Sequence, residues 1–143
     1  MIETIEHDSQ ILAIILRTSF IREGIHFLTP ESFSQQLGYM CRPKGYVVPP
    51  HDHNPVPRTI EWTQEVLFVK SGKARLDIYA PESRQYLKSL TLEPGDTVLL
   101  AHGGHGLTML EPTEIIEVKQ GPYAGEYDKN RFTPVAGCQI TYS

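Results

Sequence analysis

Residues 65–79 read Glu65-Val-Leu-Phe-Val-Lys70, then Ser71-Gly72, then Lys73-Ala-Arg-Leu-Asp-Ile-Tyr79. Two runs of mostly β-branched and apolar residues flank a dipeptide that ends in glycine, and polarity alternates along the second run. A period of two marks a strand with one face on a core, and a short glycine turn between two such runs marks a β-hairpin. A lone hairpin cannot bury its apolar face, so the flanking sequence has to supply further strands.

Downstream, Tyr86–Leu92, Thr97–Leu100, residues 106–110 and Glu114–Lys119 read as strands, with turns at Pro81-Glu82, Glu93-Pro94-Gly95 and Glu111-Pro112-Thr113. Upstream, residues 11–16 (Ile-Leu-Ala-Ile-Ile-Leu) read as a buried strand and residues 18–24 as a loop or one helical turn. Residues 35–42 form another candidate strand. After a break at Pro43-Lys44, residues 45–48 form one more, which delivers the chain to Pro49-Pro50 and a pair of histidines. The 11 glycines and 11 prolines are spread along the chain rather than gathered in one tract, so turns recur at short intervals. About eight to ten short strands with no long amphipathic helix predict an all-β sandwich or jelly roll. Residues 120–143 are polar and turn-rich and are expected to run as a tail over the outside.

The length of 143 residues fits one domain, 1–143, with a core that needs no disulfide staple. A net charge of −4 without a Lys/Arg cluster removes the electrostatic footprint of a nucleic-acid binder, so a small molecule is the expected partner. The longest early apolar run, residues 11–16, is too short to span a membrane, and it follows an acidic start unlike that of a secretory signal. A cytoplasmic protein is therefore expected, with Cys41 and Cys138 as unpaired thiols.

The residues with chemistry to offer lie in two places separated by the hairpin: His51-Asp52-His53 with Glu65, and His102-Gly103-Gly104-His105. Side chains two apart on an extended chain point to one face, so His51 and His53 can converge on one ion, with Asp52 facing away. Imidazole and carboxylate together suit Fe, Mn, Ni, Co, Cu or Zn. His102 and His105 would face opposite sides of a regular strand, so Gly103-Gly104 is expected to turn between them.

Gly45, five residues, His51, one residue, His53, then Glu65, six residues and Gly72 resemble the first motif of the cupin superfamily. Gly95, five residues, then Ala101-His102-Gly103-Gly104-His105 echo the second motif. The chain thus resembles the small single-domain bacterial cupins. The resemblance implies a double-stranded β-helix, or jelly-roll barrel, with a metal-binding core over residues 45–119, and one divalent metal ion held by His51, His53, Glu65 and His105. It departs from the pattern in placing eleven residues between His53 and Glu65, where three or four are usual, and Ala101 where proline stands. Glu61 therefore competes with Glu65, and His102 with His105. The insertion reads as a Pro-rich loop beside the site.

In that loop Arg58 and Trp62 are candidates to contact an anionic or planar substrate, and Tyr39 is a candidate to line the cavity. His7 and His26 read as ordinary histidines. The resemblance implies an enzyme of the isomerase, epimerase or dioxygenase type acting on a sugar derivative or a hydroxy or keto acid. The alternative is a non-catalytic module that binds or senses a small molecule. Exposed apolar strands, together with the resemblance, imply a homodimer.

Overall fold

The computed structural model describes residues 1–143 as an all-β chain of three antiparallel sheets. Ten strands follow one another: β1 (Ile2–His7), β2 (Gln10–Leu16), β3 (Gly24–Phe27), β4 (Gly38–Cys41), β5 (Glu65–Ser71), β6 (Ala74–Tyr79), β7 (Tyr86–Leu92), β8 (Thr97–Leu100), β9 (Gly104–Met109) and β10 (Glu114–Lys119). One sheet has the order β1-β2-β8-β5-β10, a second has β7-β6-β9, and β3 pairs only with β4. Two single 3-10 turns, Gly125–Asp128 and Gly137–Gln139, are the only helical segments. No helix is long and apolar enough to cross a membrane.

Both strands expected over residues 65–79 form, but they do not pair as a hairpin: β5 and β6 belong to different sheets, and the turn at Ser71-Gly72 carries the chain from one to the other. Gly72 makes this possible. It sits at φ +83°, in the left-handed region, and a Cβ there would collide with the Pro112 carbonyl and Thr113. β5 then pairs with β8 and β10, while β6 pairs with β7 and β9. Leu12, Ile15, Leu67, Val69, Val98 and Leu100 of the first sheet pack against Leu76, Ile78, Leu90 and Leu92 of the second, which makes the molecule a sandwich with one main core.

The outer face of the five-stranded sheet is divided. Ile14, Leu99 and Ala101 are covered by Leu28, Phe33 and Leu37, which flank the β3–β4 hairpin. Phe68, Ile116 and Val118, on the β5–β10 side, are exposed.

Three further sequence expectations are corrected. Residues 45–48 are not a strand: Lys44 and Gly45 form a turn, and no regular structure occurs from there to Gln64. Prolines at 43, 49 and 50 remove the amide donors a ladder would need. The candidate strand 35–42 shortens to β4: the Gln35 amide is taken by Gln64 Oε1 (3.0 Å) and the Gln36 side chain donates to the Pro30 and Phe33 carbonyls, so neither residue joins the ladder. The third correction is an addition, since β1 and β3 were not anticipated. β1 is an edge strand whose regularity comes from its pairing with β2, interrupted by a bulge at Ile5/Glu6.

Buried polar groups tie the layers together. Arg17 donates to Glu3 (2.5 Å), Asp96 (2.8 Å) and the Thr91 carbonyl (2.7 Å), linking β1 and β2 to the β7–β8 turn. Asp77, 3 % exposed, accepts from Arg75 through both carboxylate oxygens and from Ser89 Oγ. Tyr86 Oη bonds Ser89 Oγ and accepts the Thr141 amide (2.8 Å), and Ser89 bridges to Tyr142. The end of the tail is thereby fastened along β7.

Candidate functional site

One end of the sandwich opens into a cavity of about 600 Å³. Its walls are strand ends: the start of β5 (Glu65, Leu67), the end of β6 (Tyr79), the end of β8 (Leu100) and the turn into β9 (His102 to Leu107). Glu65 pairs across the sheet with Leu100 and with Lys119, so its side chain shares the inward face with theirs. His105 pairs with Ile78 near the end of β6, and Gly103, at φ +81°, makes the turn that starts β9. That turn brings His105 to Glu65, with Nε2 3.1 Å from Oε2.

The carboxylate lies deeper than the imidazole, with 10 % of the Glu65 side chain exposed against 34 % of His105. The His105 N–H holds the Glu65 carboxyl below the usual carboxylate range, against the opposing effect of burial, and Lys119 and Lys129 add to the lowering. A carboxylate bonded to one ring nitrogen orients the imidazole and stabilises the positive charge it gains on accepting a proton. This pair is therefore suited to taking and returning a proton.

The far wall comes from the tail. Asp128, Lys129, Asn130, Arg131, Phe132 and Pro134 line the cavity opposite the strand ends. Phe132 packs edge-on against Tyr79 (centroids 5.0 Å apart), with Arg84 over its other side (5.1 Å), and the Val135 amide donates to Tyr79 Oη (3.0 Å). Thr63 donates to Asp128 (2.8 Å), and Lys119 reaches the same carboxylate at 4.0 Å. The sequence reading selected none of these tail residues. The available signal was Phe132, followed by Thr-Pro-Val, as an apolar anchor in an otherwise polar stretch.

Of the sequence-selected residues, the cavity unites Glu65, His102 and His105. His102 also stacks face to face on Trp62, centroids 3.8 Å apart and 13° between planes. Trp62 itself, with Glu61, lines a second cavity of about 520 Å³ on the outer side of the sheet, beside Gln64 and Phe33. Tyr39 packs edge-on against Phe20 (4.9 Å) and lines neither cavity. Arg58 is exposed and likewise lines neither.

His51 and His53 are exposed on the irregular segment that precedes β5. Their rings lie 5.3 Å apart, edge to face, so the alternation that pairs them holds locally. The Nδ1 of His51 faces the Pro49 carbonyl at 2.9 Å. Neither ring lines the cavity that holds Glu65 and His105, and no three His, Cys, Asp or Glu side chains come together as a metal-holding group. As arranged, the four residues do not form one coordination sphere. Cys41 and Cys138 are both free.

No family model, curated protein or solved structure matches the chain. The chemistry therefore has to be read from the cavity alone.

Proposed function

We propose that this chain is a cupin-type jelly roll whose open end binds a small oxygen-rich metabolite, such as a sugar derivative or a hydroxy or keto acid, and moves a proton on it. The observation that carries the reading is the Glu65–His105 pair, 3.1 Å apart on the wall of a cavity of about 600 Å³. That volume lies in the range of small-molecule sites, and a perturbed titratable pair in a concave site is where function is sought first. Lys129 and Arg131 give the wall cationic donors for carboxylate, phosphate or hydroxyl oxygens. In this reading Glu65 orients and stabilises the imidazolium, and His105 takes a proton from a carbon next to a carbonyl and returns it on the same or the neighbouring carbon. The reaction class is isomerisation or epimerisation.

The test is solvent-isotope exchange. The protein is incubated in deuterated water with sugar phosphates, nucleotide sugars and hydroxy and keto acids, and the recovered compounds are examined by mass spectrometry. Incorporation of deuterium at carbon, lost in both Glu65→Gln and His105→Asn, is the expected result. Saturable binding without incorporation would replace the enzyme with the alternative, a sensing or binding module.

A second reading has one observation in its favour. Glu65 and His105 already offer a carboxylate oxygen and an imidazole nitrogen to one point, and His51 and His53 sit on a segment with little to hold it in place. A divalent ion (Fe, Mn, Ni, Co, Cu or Zn) would take all four ligands once that segment closed on the cavity. Elemental analysis of untagged protein decides this. Stoichiometric metal that is lost in His51→Ala and in His105→Ala supports it, and protein without metal excludes it.

A further inference from the structure

The second cavity, of about 520 Å³, shares no wall residue with the one that holds Glu65 and His105. Its wall includes Gln64, the residue just before β5, which is only 4 % exposed. Gln64 Oε1 accepts from Ser34 Oγ (3.1 Å) and from the Gln35 amide (3.0 Å). A backbone N–H can only donate, so this contact fixes which end of the side-chain amide is oxygen. The Nε2 end then carries two N–H donors, and neither meets an acceptor within the chain. That nitrogen is not sealed in the core, where Gln35 Oε1 is the one buried side-chain polar atom without a partner. The small part of Gln64 that stays open faces the outer cavity, the one cavity it lines. A largely desolvated donor without an acceptor is unfavourable, and a ligand oxygen in the cavity relieves it.

The rest of the wall defines which ligand offers that oxygen. Glu61 brings an exposed carboxylate, Ser9, Ser32 and Thr59 bring hydroxyls, and no lysine or arginine is present. Trp62 brings an aromatic plate. One of its faces lies on His102 and the ring is still 45 % exposed, so open surface remains for a ligand. An anion meets a carboxylate here and no cation. An organic cation suits Glu61 and the Trp62 ring but has no lone pair for the Gln64 donors. A neutral ring bearing several hydroxyls satisfies all three: its oxygens accept from Gln64 Nε2, its O–H groups donate to Glu61, and its C–H face packs on the indole.

The geometry points to a binding site for a neutral sugar in this outer cavity, with Gln64 and Glu61 as the hydrogen-bonding pair and Trp62 as the platform. The wall is held in place before any ligand arrives. Thr63, next to Trp62, donates to Asp128 (2.8 Å), and the Gln64 carbonyl accepts the Gln120 amide (3.0 Å). The site does not rest on proton transfer at Glu65 and His105, although the Trp62–His102 stack joins a wall of one cavity to a wall of the other.

Trp62 is the only tryptophan of the chain, so its emission reports on the cavity directly. The full chain is titrated with glucose, galactose, mannose, N-acetylglucosamine and their disaccharides, and with choline and gluconate as cationic and anionic counterparts. A saturable change with at least one neutral sugar is expected, and weaker binding or none with the two charged compounds. Calorimetry then follows the variants, each checked by circular dichroism. Gln64→Glu keeps oxygens for Ser34 and Gln35 but removes the N–H donors, and Glu61→Ala changes an exposed position. Each should weaken sugar binding about tenfold or more. Trp62→Ala should abolish it, and His105→Asn should bind as the wild type does. Absence of saturable binding for every neutral sugar overturns the proposal, as does tighter binding of choline or gluconate. Affinity unchanged in both Glu61→Ala and Trp62→Ala also overturns it. So does affinity lost in His105→Asn, which would place the sugar in the first cavity and leave the reading of Glu65 and His105 standing.

Discussion

Two regions of this molecule carry apolar side chains and reach opposite ends. In the sandwich, Leu67 and Val69 of β5 and Leu76 and Ile78 of β6 each find a facing side chain and are almost wholly buried. In the segment before β5, Val47, Val48 and Val56 are as apolar and find none. Neighbours make the difference. β5 is flanked by β8 and β10 and β6 by β7 and β9, whereas the segment has prolines at 49, 50, 55 and 57 and no ladder beside it. Apolar composition thus specifies burial only where a partner strand is available. The two regions divide the chemistry as well, with Glu65 and His105 held rigidly at strand ends and His51 and His53 left on the segment.

The largest effect expected from this contrast is in the core. Leu76→Ala removes a fully buried side chain between the sheets and should cost about 2–5 kcal/mol, read as a shift in the urea midpoint. Core truncation that costs no more than a surface substitution would break the contrast. Next comes the joint between the two sheets. Gly72→Ala forces a Cβ into the Pro112 carbonyl at a left-handed φ of +83° and should destabilise by roughly 1–3 kcal/mol. At Gly45, whose φ is +89° but whose Cβ would meet nothing, the same change should cost less, on the order of 1 kcal/mol.

The tail wall of the cavity sharpens the comparison further, since it is irregular like the segment but is tied down. Tyr79→Phe removes the hydroxyl that accepts the Val135 amide and should cost about 0.5–1.5 kcal/mol. Its effect should be local, with faster amide exchange in residues 130–136 and unchanged exchange in β6 and β7. A global loss of protection would show the tail to be part of the core instead.

Most of the sandwich was legible because its strands carry strong local signals: alternation in residues 65–79, turn residues at Pro94-Gly95 and Pro112-Thr113, and a buried run at 11–16. β1 and the β3–β4 pair were not, because their regularity is conferred by pairing across the chain rather than by their own pattern. At the site, Glu65 and His105 could be selected from their intervals to Gly72 and Gly95, since a glycine turn fixes where the next strand begins. The stack of Trp62 on His102 and the tail wall left no such trace, because each depends on where an irregular segment comes to rest. The spacing of His51 and His53 foretold their mutual approach and nothing about their distance from Glu65, because no turn or ladder sets the course of the residues between them.

The smallest effect expected is also the one that isolates the Glu65–His105 pair. Glu65 has a carboxyl pKa lowered on folding, chiefly by the His105 N–H, so the folded state binds the acidic proton less readily than the unfolded chain does. Its contribution to stability is therefore fully present above the ordinary carboxylate value of 4.5 and is lost as pH falls through the lowered folded value. In Glu65→Gln that contribution is absent, so the acid limb of the stability curve should be flatter than in the wild type, with the two curves approaching one another at low pH. Glu114 supplies the control. Its carboxyl is also lowered, by Ser71 and Lys70, but it is fully exposed at the far end of β10, so Glu114→Gln should leave the acid limb nearly unchanged. Thermal unfolding from neutral pH into the acid range distinguishes the two. Equal flattening in both variants would mean that the buried pair at the cavity is no more strongly coupled than a surface contact, and His105 would then lose the oriented carboxylate on which its role as a base depends.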